Sequence, residues 1–153
     1  MDAWAAAALG EEAAIYGYEV LTAQLVGAER IKALQAVKSH EHARDNARDR
    51  LTEDGGNLDA PAAYDLPFSI TSPASAKRLA ILLELRLVSV YASTVRATDG
   101  SARAYAATSA QKCTSRAVGW GWVPTAFPGM EADQPAGPAD TSRSPVSDGA
   151  RVD

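Results

Sequence analysis

One cysteine, Cys113, stands in 153 residues. That excludes an intrachain disulfide and any zinc site built from several cysteines. Lysine is scarce, four against eleven arginines, and the net charge is −4. The basic residues nowhere cluster, so the chain lacks the electrostatic footprint of a nucleic-acid binder and the polybasic segment of a membrane-attached protein. No apolar run approaches the roughly 20 residues of a membrane span. The amino-terminal stretch opens on Asp2 without a basic segment, so no secretion signal is expected and the cytoplasm is the expected compartment. Aromatics make up only 7% of the chain and β-branched runs are short, both of which favour helix. Neither a G-x-x-x-x-G-K-[ST] nor a G-x-G-x-x-G pattern occurs, so nucleotide binding has no motif behind it.

What is present reads as one domain with its own core. The spacing predicts four helices. The first covers residues 3–26, with Leu9, Ala13, Tyr16, Val20 and Ala23 as its apolar stripe and Gly27 ending it. The second covers 29–53, with Leu34, Val37, Glu41, Arg44, Arg48 and Leu51 on one stripe and Gly55–Gly56 as its stop. The third has the clearest start, Ser72 as N-cap and Pro73 at the first helical position. Leu79, Leu82, Leu83, Leu87, Val90 and Tyr91 line it, and "DGS" at 99–101 closes it. The fourth covers 101–118, with a slender face of Tyr105, Ala106, Ala110, Cys113 and Ala117.

Helices 1 and 2 are tightly joined, as are helices 3 and 4, so each pair is expected to form an antiparallel hairpin. Between the pairs lies "GGNLDAPAAYDLPFSITS", about 18 residues, where a bundle turn needs about 2–8. A helix of this length is roughly 30 Å long and such a linker reaches about 60 Å, enough to return along the whole bundle. Two hairpins joined by one long crossover is the topology of a ferritin-like four-helix bundle, the all-α fold expected here. After helix 4, "GWGWVPTAFPGM" is expected to close the bundle end as an aromatic hook, giving a domain over 1–130. Residues 131–153, rich in Pro, Gly, Ala, Ser and Asp, are expected to be a disordered tail.

The stretches "LGEEAAIYGYEVL", "HEHARD", "YDLPFSITSPASAKRLAILLE", "VYASTVRAT" and "GWGWVPTAFPGM", in that order, resemble a ferritin-like family of unknown function widespread in actinobacteria. The resemblance covers residues 3–130. It implies a four-helix ferritin-like bundle and supplies no activity.

A ferritin-like di-metal centre takes one Glu from each of two helices and a Glu-x-x-His pair from each of the other two. Glu12 on helix 1 (with Glu19 a heptad on), Glu41 on helix 2 and Glu84 on helix 3 are the candidate carboxylates. Helix 4 offers none, since residues 100–130 contain no Asp, Glu or His. Three residues after Glu41 stands Arg44, which cannot ligate a metal but can replace its charge among carboxylates. Lys112 or Arg116 on helix 4 could assist. His40 and His42 are about 200° apart around a helix, so at most one enters the core.

Three readings stay open. The leading one is a degenerate site, with Glu12, Glu41 and Glu84 paired to Arg44 and joined by His40. The second is a reduced metal site of Glu12, Glu41, Glu84 and one histidine, holding iron or manganese. In the third these residues are a solvated helix face, with Glu41–Arg44 and Asp45–Arg48 pairs worth a few tenths of a kcal/mol each. Cys113 is expected to be a buried structural thiol, and Tyr16 either a hydrogen-bond donor to a core carboxylate or a packing residue. In functional terms the first reading is a non-catalytic structural or interaction module, expected to be a homodimer and to need no cofactor. The alternatives are a metal oxidase or storage protein, and a binder of small hydrophobic ligands using Trp120 and Trp122 or the bundle core.

Overall fold

The computed structural model describes residues 2–58 and 64–124. These form α1 (Ala3–Thr22), α2 (Gly27–Glu53), α3 (Pro73–Ala97) and α4 (Gly100–Gly119), with no strand among the described residues.

The helix ends follow from local chemistry. Asp2 accepts hydrogen bonds from the backbone N–H groups of Trp4 and Ala5, satisfying donors that the first turn of α1 leaves free. Ser72 caps α3 as expected, and Ser75 returns the bond to complete a capping box ahead of Pro73. The first helix stops four residues short of its expected end. The chain tightens into three-residue hydrogen-bonded turns at Ala23, Gln24 and Leu25, and the Leu25 side chain is buried. Gly27 does not end α1 but opens α2, with φ of +55° that a side chain would strain.

The helices pack α2 on α1, α1 on α3 and α3 on α4. One apolar cluster joins the start of α1 (Trp4, Ala5, Ala7, Ala8) to the end of α2 (Ala47, Leu51), the end of α3 (Leu87, Tyr91) and α4 at Ala106 and Cys113. The other joins the end of α1 (Tyr18, Leu21, Leu25) to the start of α2 (Ala33, Ala36), the start of α3 (Ala76, Leu79, Ala80) and Trp120. The order is therefore up, down, down, up, which makes α2 parallel to α3 and demands a connection as long as the bundle. The linker shows that course: Leu58 packs on the first cluster, and Leu66, Phe68 and Ile70 pack on the second. Between α1 and α3 the approach is close at Gly17, where a Cβ would lie 2.6 Å from Leu83 Cδ1.

The buried faces of α3 and α4 agree with the expected stripes, but those of α1 and α2 are turned. On α1 the core side carries Trp4, Ala7, Ala8, Glu11, Ala14, Ile15, Tyr18 and Leu21, whereas Tyr16 is 37% exposed. On α2 it carries Ala33, Ala36, His40, Ala47 and Leu51, while Leu34 is 48% exposed. Where alanine is frequent, several stripes satisfy the helical period, and one that contains a charged residue scores as surface. Trp120 packs in the second apolar cluster; residues 125–130 of the expected hook and the tail over 131–153 lie outside the described residues.

Candidate functional site

Between the two apolar clusters lies a polar layer fed by all four helices. His40 of α2 is fully buried. Its Nδ1 lies 2.6 Å from Glu11 Oε2 on α1, and its Nε2 lies 3.2 Å from Glu84 Oε1 on α3. Tyr91 donates to Glu11 Oε1 at 2.7 Å. Tyr18 donates to Glu84 Oε1 at 2.7 Å, and Arg116 Nε of α4 donates to the same oxygen at 2.8 Å. Trp120 Nε1 donates to the Tyr18 hydroxyl at 2.8 Å, and Arg116 Nη2 reaches Cys113 Sγ at 3.2 Å. Three donors converge on Glu84 Oε1, while Glu84 Oε2 is buried without a partner among the described residues.

An ionised carboxylate only accepts hydrogen bonds, so a histidine held between two of them must donate from both nitrogens. That is the imidazolium form. Burial alone would push His40 towards neutrality, but the hydrogen bonds from Glu11 and Glu84 and their charges outweigh it and raise its pKa above the ordinary 6.5. For Glu84, burial would raise the pKa, yet the His40 hydrogen bond and charge, followed by those of Arg116, lower it below 4.5. Burial, with the neighbouring carboxylates, pushes the Tyr18 and Tyr91 hydroxyls and the Cys113 thiol upward, so all three stay protonated. A buried thiol held protonated packs as a small apolar group. Glu11 and Glu84 thus face the His40 ring and the Arg116 guanidinium.

This gives a prediction for stability against pH. The raised His40 pKa contributes stability that is whole below 6.5 and is lost as pH rises towards the folded value. The lowered Glu84 pKa contributes stability that is whole above 4.5 and is lost as pH falls through the folded value. Both contributions are whole only between those limits. Unfolding free energy from urea titrations should fall as pH rises above 6.5, with a slope bounded by about 1.4 kcal/mol per pH unit, the value for one proton. A His40→Gln variant should lose that slope.

Of the residues predicted for the site, the structure brings Glu84 and His40 together and sets the others apart. Glu12 is not the interior carboxylate of α1; Glu11 is, because one residue turns a helix by about 100°. Glu12 lies at the half-exposed seam of α1 and α2, where it accepts from Arg48 at 2.6 Å and lies 3.8 Å from Arg44. Arg44 pairs with its neighbour Asp45 at 2.8 Å, so the guanidinium among the buried carboxylates is that of Arg116 instead. Glu41, one position from His40, is half-buried and outside the layer, and His42 is exposed. Tyr16 packs against Tyr64 with ring centroids 6.0 Å apart; Tyr18 and Tyr91 are the donors to carboxylates. Sequence reasoning passed over Glu11, Tyr18 and Tyr91. The signal for the first two was their seven-residue spacing on one stripe of α1.

Among the described residues no group of three or more His, Cys, Asp or Glu is arranged to hold a metal ion. For His40 to hold a metal, one of its ring nitrogens would have to give up its proton and its carboxylate partner. No described helix is long and apolar enough to cross a membrane.

Among curated proteins none matches the sequence. A solved structure described as a conserved hypothetical protein, rv2844, from Mycobacterium tuberculosis is similar, at 30% identity and a TM-score of 0.74, over 77% of this chain and 91% of that one. The sequence also matches a described family over residues 3–132, nearly the whole of the helical part, and on that match the chain belongs to the family of the domain of unknown function DUF4439.

Proposed function

We propose that this protein is a ferritin-like bundle that acts as a non-catalytic structural or interaction module, its interior metal position taken over by a proton and a guanidinium. The supporting observation is His40, with a carboxylate on each ring nitrogen. The helix order and the long crossover support the ferritin-like reading, and Glu11, His40 and Glu84 are buried in the bundle core, where ferritin-like proteins build their metal sites. The inventory for a di-metal centre is incomplete. Val37 stands where α2 would need the Glu of Glu-x-x-His, and α4 has no acid or histidine at all. Two carboxylates suit two single positive charges better than the four or more of a metal pair.

A mono- or dinuclear iron or manganese oxidase or storage protein is the alternative, and the unpartnered Glu84 Oε2 is the observation in its favour. Elemental analysis of untagged protein purified without chelator, beside a Glu84→Gln variant, separates the two. The expected result is metal far below one ion per chain in both proteins and an unchanged melting temperature in chelator. Near-stoichiometric iron, manganese or zinc that disappears in the variant would overturn the proposal.

A further inference from the structure

Three sides of the bundle are closed by packed helix pairs, α2 on α1, α1 on α3 and α3 on α4. The fourth side, between α2 and α4, is looser, bridged by Lys32 at the Gly119 carbonyl and Trp120 ring and by Arg50 at the Tyr105 ring. It holds a cleft of about 420 Å³ walled by Ser39, His42 and Asn46 of α2 and by Ser109, Lys112 and Arg116 of α4. This is polar where an ordinary helix seam would be apolar, and its size lies within the range of small-molecule sites.

Lys112 and Arg116 bring cations to the lining, and its one carboxylate, Glu11, is already occupied by His40 and Tyr91. Arg116 is fixed in place: Nε is held by Glu84 and Nη2 by Cys113, which leaves further N–H groups of its fork for another partner. Lys112, four residues earlier on the same wall, is exposed and adds a mobile ammonium. Across the gap, Ser39 and Asn46 spend donors on their own helix, at the carbonyls of Gln35 and His42. Their free oxygens are therefore acceptors for a ligand's hydroxyl groups.

We propose that the α2–α4 cleft binds a small hydroxylated organic anion, its carboxylate or phosphate held by Arg116 and Lys112 and its hydroxyls by Ser39, Asn46 and Ser109. The cleft shares Arg116 and Glu11 with the interior layer, while Glu84 and His40 do not line it.

The test is calorimetric titration of the full chain at about 0.1 M salt with citrate, glucose 6-phosphate, inorganic phosphate and neutral glucose. Lys112→Glu alters the cleft and leaves the buried layer intact; Arg96→Glu makes the same charge change on exposed α3. Saturable binding of citrate or glucose 6-phosphate with Kd at or below about 1 mM is expected. It should weaken at least tenfold in Lys112→Glu and stay unchanged in Arg96→Glu. Which of the two anions binds tells carboxylate from phosphate. Equal loss in both variants would reduce the effect to general charge attraction and overturn the proposal. So would glucose binding as tightly as glucose 6-phosphate, or no saturable binding of any of the anions up to about 10 mM.

Discussion

A His40→Ala variant is expected to lose about 3–5 kcal/mol of folding stability, the cost of removing one partner from a buried ion pair. His40 is the only described cation that touches both Glu11 and Glu84, and both carboxylates are buried. Its loss leaves Glu11 with Tyr91 alone and Glu84 with Tyr18 and Arg116. It also opens a void between the two apolar clusters. With a domain's total stability at about 5–15 kcal/mol, the variant should be close to its folding threshold at 37 °C. Urea unfolding near pH 6 measures it, where the imidazolium contribution is whole. A loss below about 1 kcal/mol, the scale of a single neutral hydrogen bond, would mean that His40 is not an ion-pair centre.

The second large effect is expected at Glu84. Glu84→Leu keeps the side chain's bulk and removes the oxygen on which Tyr18, His40 and Arg116 converge. A buried hydroxyl, an imidazolium and a guanidinium lose an acceptor together, so the loss should again be about 3–5 kcal/mol. The double variant Glu84→Leu/Arg116→Leu should recover part of it, because contacting residues in one network couple by about 0.5–3 kcal/mol. Glu12→Ala is the contrast. Its pairs with Arg48 and Arg44 lie at a partly exposed seam, where ion pairs contribute about 0–1 kcal/mol. If Glu84→Leu proved as mild as Glu12→Ala, in the same urea titration, the interior layer would not be an ion network.

The topology was legible in the sequence and the site's register was not, and the reasons are physical. Gly55, Gly56, Ser72 and Pro73 each act through their own backbone chemistry, so helix stops and starts could be read one residue at a time. The linker's length then decided the connection. Glu84 was legible as an interior acid because Leu79, Leu83 and Leu87 fix the buried face of α3 around it. On α1, small residues surround both Glu11 and Glu12, and hydropathy cannot choose between acids about 100° apart. On α2 the expected stripe put Leu34 inward, but the core there takes Ala33 and Ala36, whose small side chains let α2 lie close to α1. That one-position turn moved Glu41 and Arg44 off the interior and put His40 on it. Arg116 was recognisable as a cation that could stand in for a missing ligand; its partner, Glu84, needed three dimensions.

The central claim is that a protonated histidine occupies the middle of this bundle, and nitrogen-15 NMR of histidine-labelled protein at pH 7 tests it most directly. Two protein signals are expected, one from exposed His42 and one from His40. The account predicts that His40 shows a proton on both ring nitrogens at pH 7, with exchange slowed by burial, and that its titration is displaced upward from the ordinary 6.5. A His40 ring with one bare nitrogen at pH 7, neutral or bonded to a metal, would contradict it.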